Sequence, residues 1–250
     1  MADWSPVTTG ESGARVFCSA DGTRYRKVVD GADAAALADE RDRIEWAGAH
    51  GIPGPSVLDW RRTRDGAELI MTAVAGTPAD RLSARALAAA WPHIVAAVRA
   101  LHDVPAALCP YRRDLDAMLA RARDVVSRDA VNPDFLPDED RGVPPTWLLE
   151  RVERDAGRRG AQERAEAVVC HGDLCLPNIV VDGAQVAGFV DLGRLGLADP
   201  HADLSLLLES TRQAFPAFAA AARTVADRDY PRRIDDERLQ FYLWLDPLTW

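Results

Sequence analysis

The chain has 250 residues, 48% of them hydrophobic, and a formal net charge of −9. That is enough apolar material for one large domain or two lobes. The negative balance argues against nucleic acid as a partner and suits a small cationic one. Four cysteines in this length are no disulfide scaffold, and no stretch approaches the ~20 apolar residues of a membrane span. Met1 to Pro6 carries an early acid and no apolar run, so no export signal, no membrane partner and a cytoplasmic location are expected.

Residues 7–30 read as a β-hairpin. Thr8-Thr9-Gly10-Glu11-Ser12-Gly13 is its small-residue loop and Asp21-Gly22 its turn. Backbone amides of that loop, Ser12 among them, are of a kind that lies over phosphates. It is not a full G-x-G-x-x-G, and a plain turn is the alternative. The strand after it, Thr23 to Val29, holds Lys27. Of the 30 basic residues, Lys27 is the one lysine and the rest are arginine. Strand alternation puts Tyr25, Lys27 and Val29 on one face. A flexible ammonium reaches phosphates as a point charge, which the arginine fork does not imitate. The next segment, Asp33 to His50, predicts a helix that carries Glu40 as the ion-pair partner of Lys27, with Glu45 as the rival.

Strands follow at Val57 to Arg61 and Glu68 to Thr72, around Arg64-Asp65-Gly66. Met71 to Gly76 reads as the connector to a helical lobe. Backbone groups of Thr72 and Val74 there are placed to pair with adenine, with Tyr25 stacking on the ring. The division expected is 1–74 for a nucleotide-binding lobe and 75–250 for the lobe with the catalytic loop, metal site and substrate pocket. From Ser83, the stripe Leu87, Trp91, Ile94, Val98, Leu101 predicts core-facing helix. Pro92 is read as the first turn of a second helix running to His102, and His93 and His102 as surface or capping residues. A helix at 112–128 is followed by an interruption, 129–145, with four prolines and five acids. It is expected to be structureless, and functional and merely solvated readings weigh about equally. Another helix, Thr146 to about Ala167, leads into Val168-Val169-Cys170.

The segment from His171 to Gly193 carries the chemistry. His171-Gly172-Asp173 is followed by Asn178, the acid-to-amide spacing of a kinase catalytic loop. Asn178 to Val181 and Val186 to Val190 are strand-like around Asp182-Gly183, a turn signal. If Val181 pairs with Val186, Asn178 falls opposite Phe189, two residues before Asp191-Leu192-Gly193. An amide oxygen and a carboxylate then share one Mg²⁺ site. Ordinary strand-end and turn residues are the bland reading, and the ordered combination of an acid, an amide and a second acid weighs against it. Helices are expected again at 204–218, 219–227 and 236–245.

Lys27, Glu40, His171-Gly172-Asp173 with Asn178, Asp191-Leu192-Gly193-Arg194 and Leu245-Asp246-Pro247-Leu248 together resemble the aminoglycoside O-phosphotransferase family. The resemblance covers nearly the whole chain. Within that family, Gly10 to Gly13, Asp124 to Asp140 and Phe241 to Trp250 are similar to the streptomycin 3″-phosphotransferases. Gly172 stands where protein kinases have arginine, which speaks for a small-molecule kinase. The resemblance implies a protein-kinase-like, bilobal α+β fold, with a small antiparallel N-lobe sheet, one main helix and a larger helical C-lobe. It implies a monomer that uses ATP and Mg²⁺.

It further implies that Asp173 accepts the proton of the acceptor hydroxyl and that Asn178 and Asp191 hold metal. Lys27, held by Glu40, would contact the α- and β-phosphates. His171 would be structural, and Asp203 would either brace the catalytic loop through backbone amides or cap a helix. The acceptor it implies is streptomycin, a cation with two guanidinium groups, for which carboxylates are the matching partners. Asp134, Asp138, Glu139, Asp140 and Asp246 are the candidates, and Arg194 is placed to touch phosphate or substrate. A 3′-phosphotransferase of kanamycin or neomycin, a metabolic small-molecule kinase and a catalytically dead nucleotide-binding module are the alternatives.

Overall fold

The computed structural model describes residues 4–7 and 14–250. In chain order its elements are strands β1 (Trp4–Val7), β2 (Arg15–Ser19) and β3 (Arg24–Asp30), helix α1 (Ala34–Ala49), strands β4 (Val57–Arg62), β5 (Gly66–Thr72) and β6 (Thr77–Pro78), and helices α2 (Ala84–His102), α3 (Leu115–Ser127) and α4 (Pro145–Glu166). Strands β7 (Val168–Cys170), β8 (Ile179–Asp182), β9 (Gln185–Phe189) and β10 (Gly196–Ala198) follow, then helices α5 (Pro200–Ala214), α6 (Ala219–Asp229) and α7 (Asp236–Leu245). Packing groups Met1–Ile94 with Leu176–Arg194 in one unit, and Val95–Cys175 with Leu195–Trp250 in another.

In the first unit, β1-β2-β3-β5-β4 form an antiparallel sheet. The turn between β2 and β3 is set by Gly22 at φ +70°, a conformation glycine adopts at no steric cost. Leu37, Glu40, Ile44 and Ala47 are buried along α1, the spacing of three and four that lays one helix face inward. The smaller sheet joins β6, β8 and β9. The β8–β9 turn holds Gly183 at φ +61°. A bulge corrects the expected register. Val181 does pair with Val186, but Val180 pairs with Gly188 and Ile179 with Phe189. Ala187 is the extra residue, so Asn178 is not opposite Phe189. Beside this hairpin, the Phe189 amide donates to Pro53 O at 2.8 Å. Backbones touch there: a Cβ on Gly54 would lie 2.8 Å from Phe189 O, and one on Gly188 would lie 3.0 Å from Gly54 N.

In the second unit, β7 and β10 pair antiparallel, a pairing of two three-residue strands too short to announce itself in sequence. Its core gathers Leu115, Met118 and Leu119 of α3, Leu148 and Val152 of α4, and Phe241 and Leu245 of α7. Side-chain caps fix the helix starts: Asp114 accepts from Ala117 N, Asp199 from His201 N, and Asp235 from Glu237 N and Arg238 N. Each such cap stabilises by about 1 kcal/mol.

Two expectations are corrected here. Residues 84–102 form one helix with Pro92 inside it. Leu87, Trp91, Ile94 and Val98 are all buried, and burial at about 1.5–3 kcal/mol per large side chain offsets the proline's cost of ~3 kcal/mol. The 129–145 interruption is ordered. It makes two short 3-10 turns, Pro133–Phe135 and Asp138–Asp140. Leu136 enters the core, and the Phe135 ring meets Trp250 edge-on at 5.6 Å.

Candidate active site

In the first unit, β3 delivers Lys27 between Val16 and Leu69 on the neighbouring strands. Its Nζ lies 2.5 Å from Glu40 Oε1 and 3.0 Å from Asp191 Oδ1. Glu40 and not Glu45 is the partner: the Glu40 side chain is 10% exposed, and Glu45, five residues further along α1, faces solvent. Burial works against the Lys27 charge, but the Glu40 and Asp191 carboxylates outweigh it and raise the lysine pKa, so the ammonium is permanent. Asp191 sits at φ +62°, a region sparsely used by non-glycine residues and associated with functional sites. Gly193 lies flat against Glu40, where a Cβ would be 3.7 Å from its side chain.

Asn178 ends the 3-10 turn Leu176–Asn178 and is 9% exposed. Its carbonyl accepts from Val190 N at 2.9 Å. The amide residue thus lies beside residue 190, one position before Asp191. The bulge at Ala187 shortens the predicted separation, and two oxygen-bearing side chains flank one fold-back.

In the second unit, β7 runs into His171, Gly172 and Asp173. Gly172 has φ +85°, which turns the chain sharply. Asp203, fully buried on the first turn of α5, accepts from His171 N at 2.6 Å and Gly172 N at 2.8 Å. The bracing role is therefore present, and the capping role belongs to Asp199. His171 Nδ1 accepts from Asp173 N at 3.2 Å, and Asp173 O accepts from Cys175 N at 2.9 Å. Three successive amides are tied down, so the Asp173 carboxylate projects from a fixed backbone.

Sequence reasoning missed His102. It is 6% exposed, with Nδ1 2.8 Å from the Tyr230 hydroxyl and Nε2 3.2 Å from Asp203 Oδ2. That corrects its assignment to the surface. The signal was its place four residues after Val98 on the buried stripe. Glu163 was missed as well: it accepts Leu115 N at 2.9 Å and Asp199 N at 3.2 Å, joining α3 and the start of α5 to α4.

The other expected site residues are scattered in environment. Tyr25 is 37% exposed on β3. The Thr72 amide donates to Ser56 O at 2.9 Å and the Ala73 amide to Thr23 O at 2.8 Å; Val74 follows β5. Ser12 and its loop lie outside the described residues. Arg194 closes the 3-10 turn Leu192–Arg194. Asp134 and Glu139 are exposed, and Asp138, also exposed, pairs with Arg141 at 3.1 Å. Asp140 instead is buried and meets Arg151 in a two-pronged pair, 2.8 Å and 2.5 Å; the same guanidinium lies over the Trp244 ring, 4.3 Å from its centre. Asp246 does meet a guanidinium, but it is that of Arg113 at 3.0 Å, and its other oxygen accepts from Trp250 Nε1 at 3.0 Å. That is a correction to the expectation of a carboxylate open to a ligand.

Residues 3–240 match the model of the phosphotransferase enzyme family. The chain is 56% identical to the streptomycin 3″-kinase of Streptomyces griseus over 99% of its own length and 93% of that protein's. The chain belongs to the phosphotransferase enzyme family. It is also 36% identical to an aminoglycoside 3′-phosphotransferase of Streptomyces fradiae, over 98% of this chain and 94% of that one. Among solved structures, aminoglycoside phosphotransferase APH(3″)-Id from Streptomyces rimosus superposes with a TM-score of 0.96 at 53% identity, covering 100% of this chain and 93% of that chain. Its complex with ADP and streptomycin gives a TM-score of 0.94 at 52% identity and the same coverage. The antiparallel sheet with α1 and the helical remainder of this phosphotransferase are thus the kinase-like α+β fold that the sequence led us to expect.

Proposed function

We propose that this phosphotransferase moves the γ-phosphoryl group of ATP to the 3″-hydroxyl of streptomycin and so inactivates the drug. One observation carries the reading. The chain keeps a whole phosphoryl-transfer set, Lys27 clasped by Glu40, Asn178 and Asp191 on one fold-back, and Asp173 on a braced loop, at 56% identity to a streptomycin 3″-kinase. A relative of almost the same length and fold binds ADP with streptomycin.

In this reading residues 1–74 form the nucleotide lobe and 75–250 the catalytic and acceptor lobe. Lys27 contacts the α- and β-phosphates, with Glu40 fixing its direction. The Thr72 amide is committed to Ser56, so adenine recognition falls to the Thr72 carbonyl and to Val74, with Tyr25 against the ring. Ser12 covers the phosphates. Asn178 and Asp191 supply the hard oxygen donors that suit Mg²⁺, and Asp191 retains 45% side-chain exposure. When bound, Mg²⁺ neutralises charge on the phosphates. Asp173 orients the acceptor hydroxyl and takes its proton as the oxygen–phosphorus bond forms and the bond to the β-phosphate oxygen breaks, releasing ADP.

The guanidinium groups of the acceptor are met by Asp134, Asp138 and Glu139, the exposed acids of the insert, with Arg194 toward phosphate. Asp140 and Asp246, each joined to an arginine of the protein, shape the insert and the C-terminal turn. No helix among the described residues is long and apolar enough to cross a membrane, and ATP places the work of a monomeric enzyme in the cytoplasm.

The test is ADP release by the purified protein with Mg-ATP and either streptomycin or kanamycin, with the phosphorylated position read by NMR. Turnover on streptomycin with a 3″ product is expected. Turnover on kanamycin alone would keep the catalytic residues and discard the acceptor. ATP binding without turnover on either would point to a nucleotide-binding module.

A further inference from the structure

The buried groups His102, Cys170 and Asp203 have ligand atoms within 4.8 Å of one another, and their hydrogen bonds say what they do. Cys170 Sγ lies 3.5 Å from Asp199 O and 3.8 Å from Ala198 O, so the thiol donates to carbonyls. Both Asp203 oxygens are taken by the amides of His171 and Gly172. That leaves His102 as the one side chain of the cluster directed at the Asp203 carboxylate. Burial raises the pKa of Asp203, but the His102 bond and the charges around it outweigh that and lower it. The carboxylate is therefore ionised and can only accept, so the His102 nitrogen facing it, Nε2, carries a proton. On the other side of the ring, Nδ1 lies 2.8 Å from the Tyr230 hydroxyl. Tyr230, 4% exposed and edge-on to the ring at 5.8 Å, holds the imidazole from the side away from Asp203.

We infer that His102 and Tyr230 are positioning residues for phosphoryl transfer: Tyr230 fixes the His102 ring, His102 fixes the Asp203 carboxylate, and Asp203 holds the backbone from which Asp173 projects. The inference rests on the reading of Asp173 as the base. Its physical basis is angular. A carboxylate with two amide donors on different oxygens can still tilt about its own bond. A third donor in a buried site removes that freedom, and small misplacements of a catalytic group cost rate out of proportion.

The experiment compares His102→Gln with His102→Asn. Glutamine carries an N–H to the place of Nε2 and so reaches Asp203; asparagine reaches only the place of Nδ1. A residue that merely filled space would treat these polar replacements alike. Steady-state kinetics with Mg-ATP and streptomycin are expected to show kcat about ten-fold lower in H102N. The KM values for both substrates stay level, and most of kcat returns in H102Q. Tyr230→Phe falls between them. Hydrogen exchange at the His171 and Gly172 amides, read by NMR, is expected to quicken in H102N and not in H102Q. Equal losses in H102Q and H102N, or a change confined to KM, overturns the inference. If the wild-type protein leaves streptomycin untouched, the proposed function fails, and the amide exchange alone decides: unaltered protection in H102N then overturns the positioning role.

Discussion

Lys27 Nζ sits 2.5 Å from Glu40 Oε1, and the chain has no second lysine to take its place. The pair is enclosed, with 13% and 10% of the two side chains exposed, so breaking it is expected to cost stability as well as turnover.

Replacing Lys27 with Arg keeps the charge but changes its shape and reach. Turnover is expected to fall about a hundred-fold, the loss of one or two charge-assisted hydrogen bonds to phosphate, with a raised KM for ATP and unchanged circular dichroism. ADP-release kinetics check it; K27R within a factor of about three of wild type would remove Lys27 from the nucleotide site. In denaturant melts, Lys27→Met strands the buried Glu40 carboxylate and should cost about 3 kcal/mol, whereas Glu40→Leu leaves the ammonium with Asp191 and should cost less. The double variant should recover much of that.

Asp173→Asn is expected to lower kcat by about two to four orders of magnitude, the usual contribution of a general base. Calorimetric affinity for ADP should stay as it is. Near-normal turnover in D173N would move the base elsewhere.

Glu163 predicts a slope of stability with pH. Its carboxyl ordinarily titrates at 4.5, and burial, only partly offset by the amides of Leu115 and Asp199, pushes it up to about 7. Between those values the folded protein holds a proton that the unfolded chain has released. This group's contribution to stability is therefore full below about pH 4.5, is lost as pH rises to about 7, and is level beyond. Urea midpoints of wild type minus Glu163→Gln, taken from about pH 5 to pH 8, should decline across that window. A flat difference would show that Glu163 is ionised throughout.

The insert gives a prediction that separates two acids. Asp140→Ala removes a buried partner of Arg151 and frees the 129–145 segment. It should cost about 3 kcal/mol and raise the acceptor KM more than the ATP KM. Asp246→Asn, which loosens Arg113 and Trp250 together, should lower the melting temperature and change both KM values equally. A selective rise in the acceptor KM for D246N would return Asp246 to the list of acceptor ligands.

What the sequence disclosed divides along physical lines. Lys27 stood out because composition isolated it, and α1 because Asp33 to His50 is rich in helix formers and stops before Gly51. Asp173, Asn178 and Asp191 were visible because their chemistry requires fixed spacing along the chain. The bulge at Ala187 was not visible: it depends on where β9 meets its partner, and both registers satisfy the alternation of a short strand. Pro92 misled because local propensity spoke for a break and the burial of Trp91 and Ile94 decided against it. The insert misled because its anchors, Leu136 in the core and Asp140 on Arg151, are contacts between residues distant in the chain. His102 was hidden for the same reason: its partners lie at positions 203 and 230.

Gly54 and Gly188 meet backbone to backbone, and a Cβ on either would press into main-chain atoms, 2.8 Å from Phe189 O or 3.0 Å from Gly54 N. The smallest side chain is already in use at both positions, so neither can shrink to make way for growth in the other. Compensating substitution, the ordinary route by which a packed pair drifts, is closed there. As lineages of this enzyme diverge, the hairpin leading from Asn178 to Asp191 has a contact that can be kept or lost but not renegotiated.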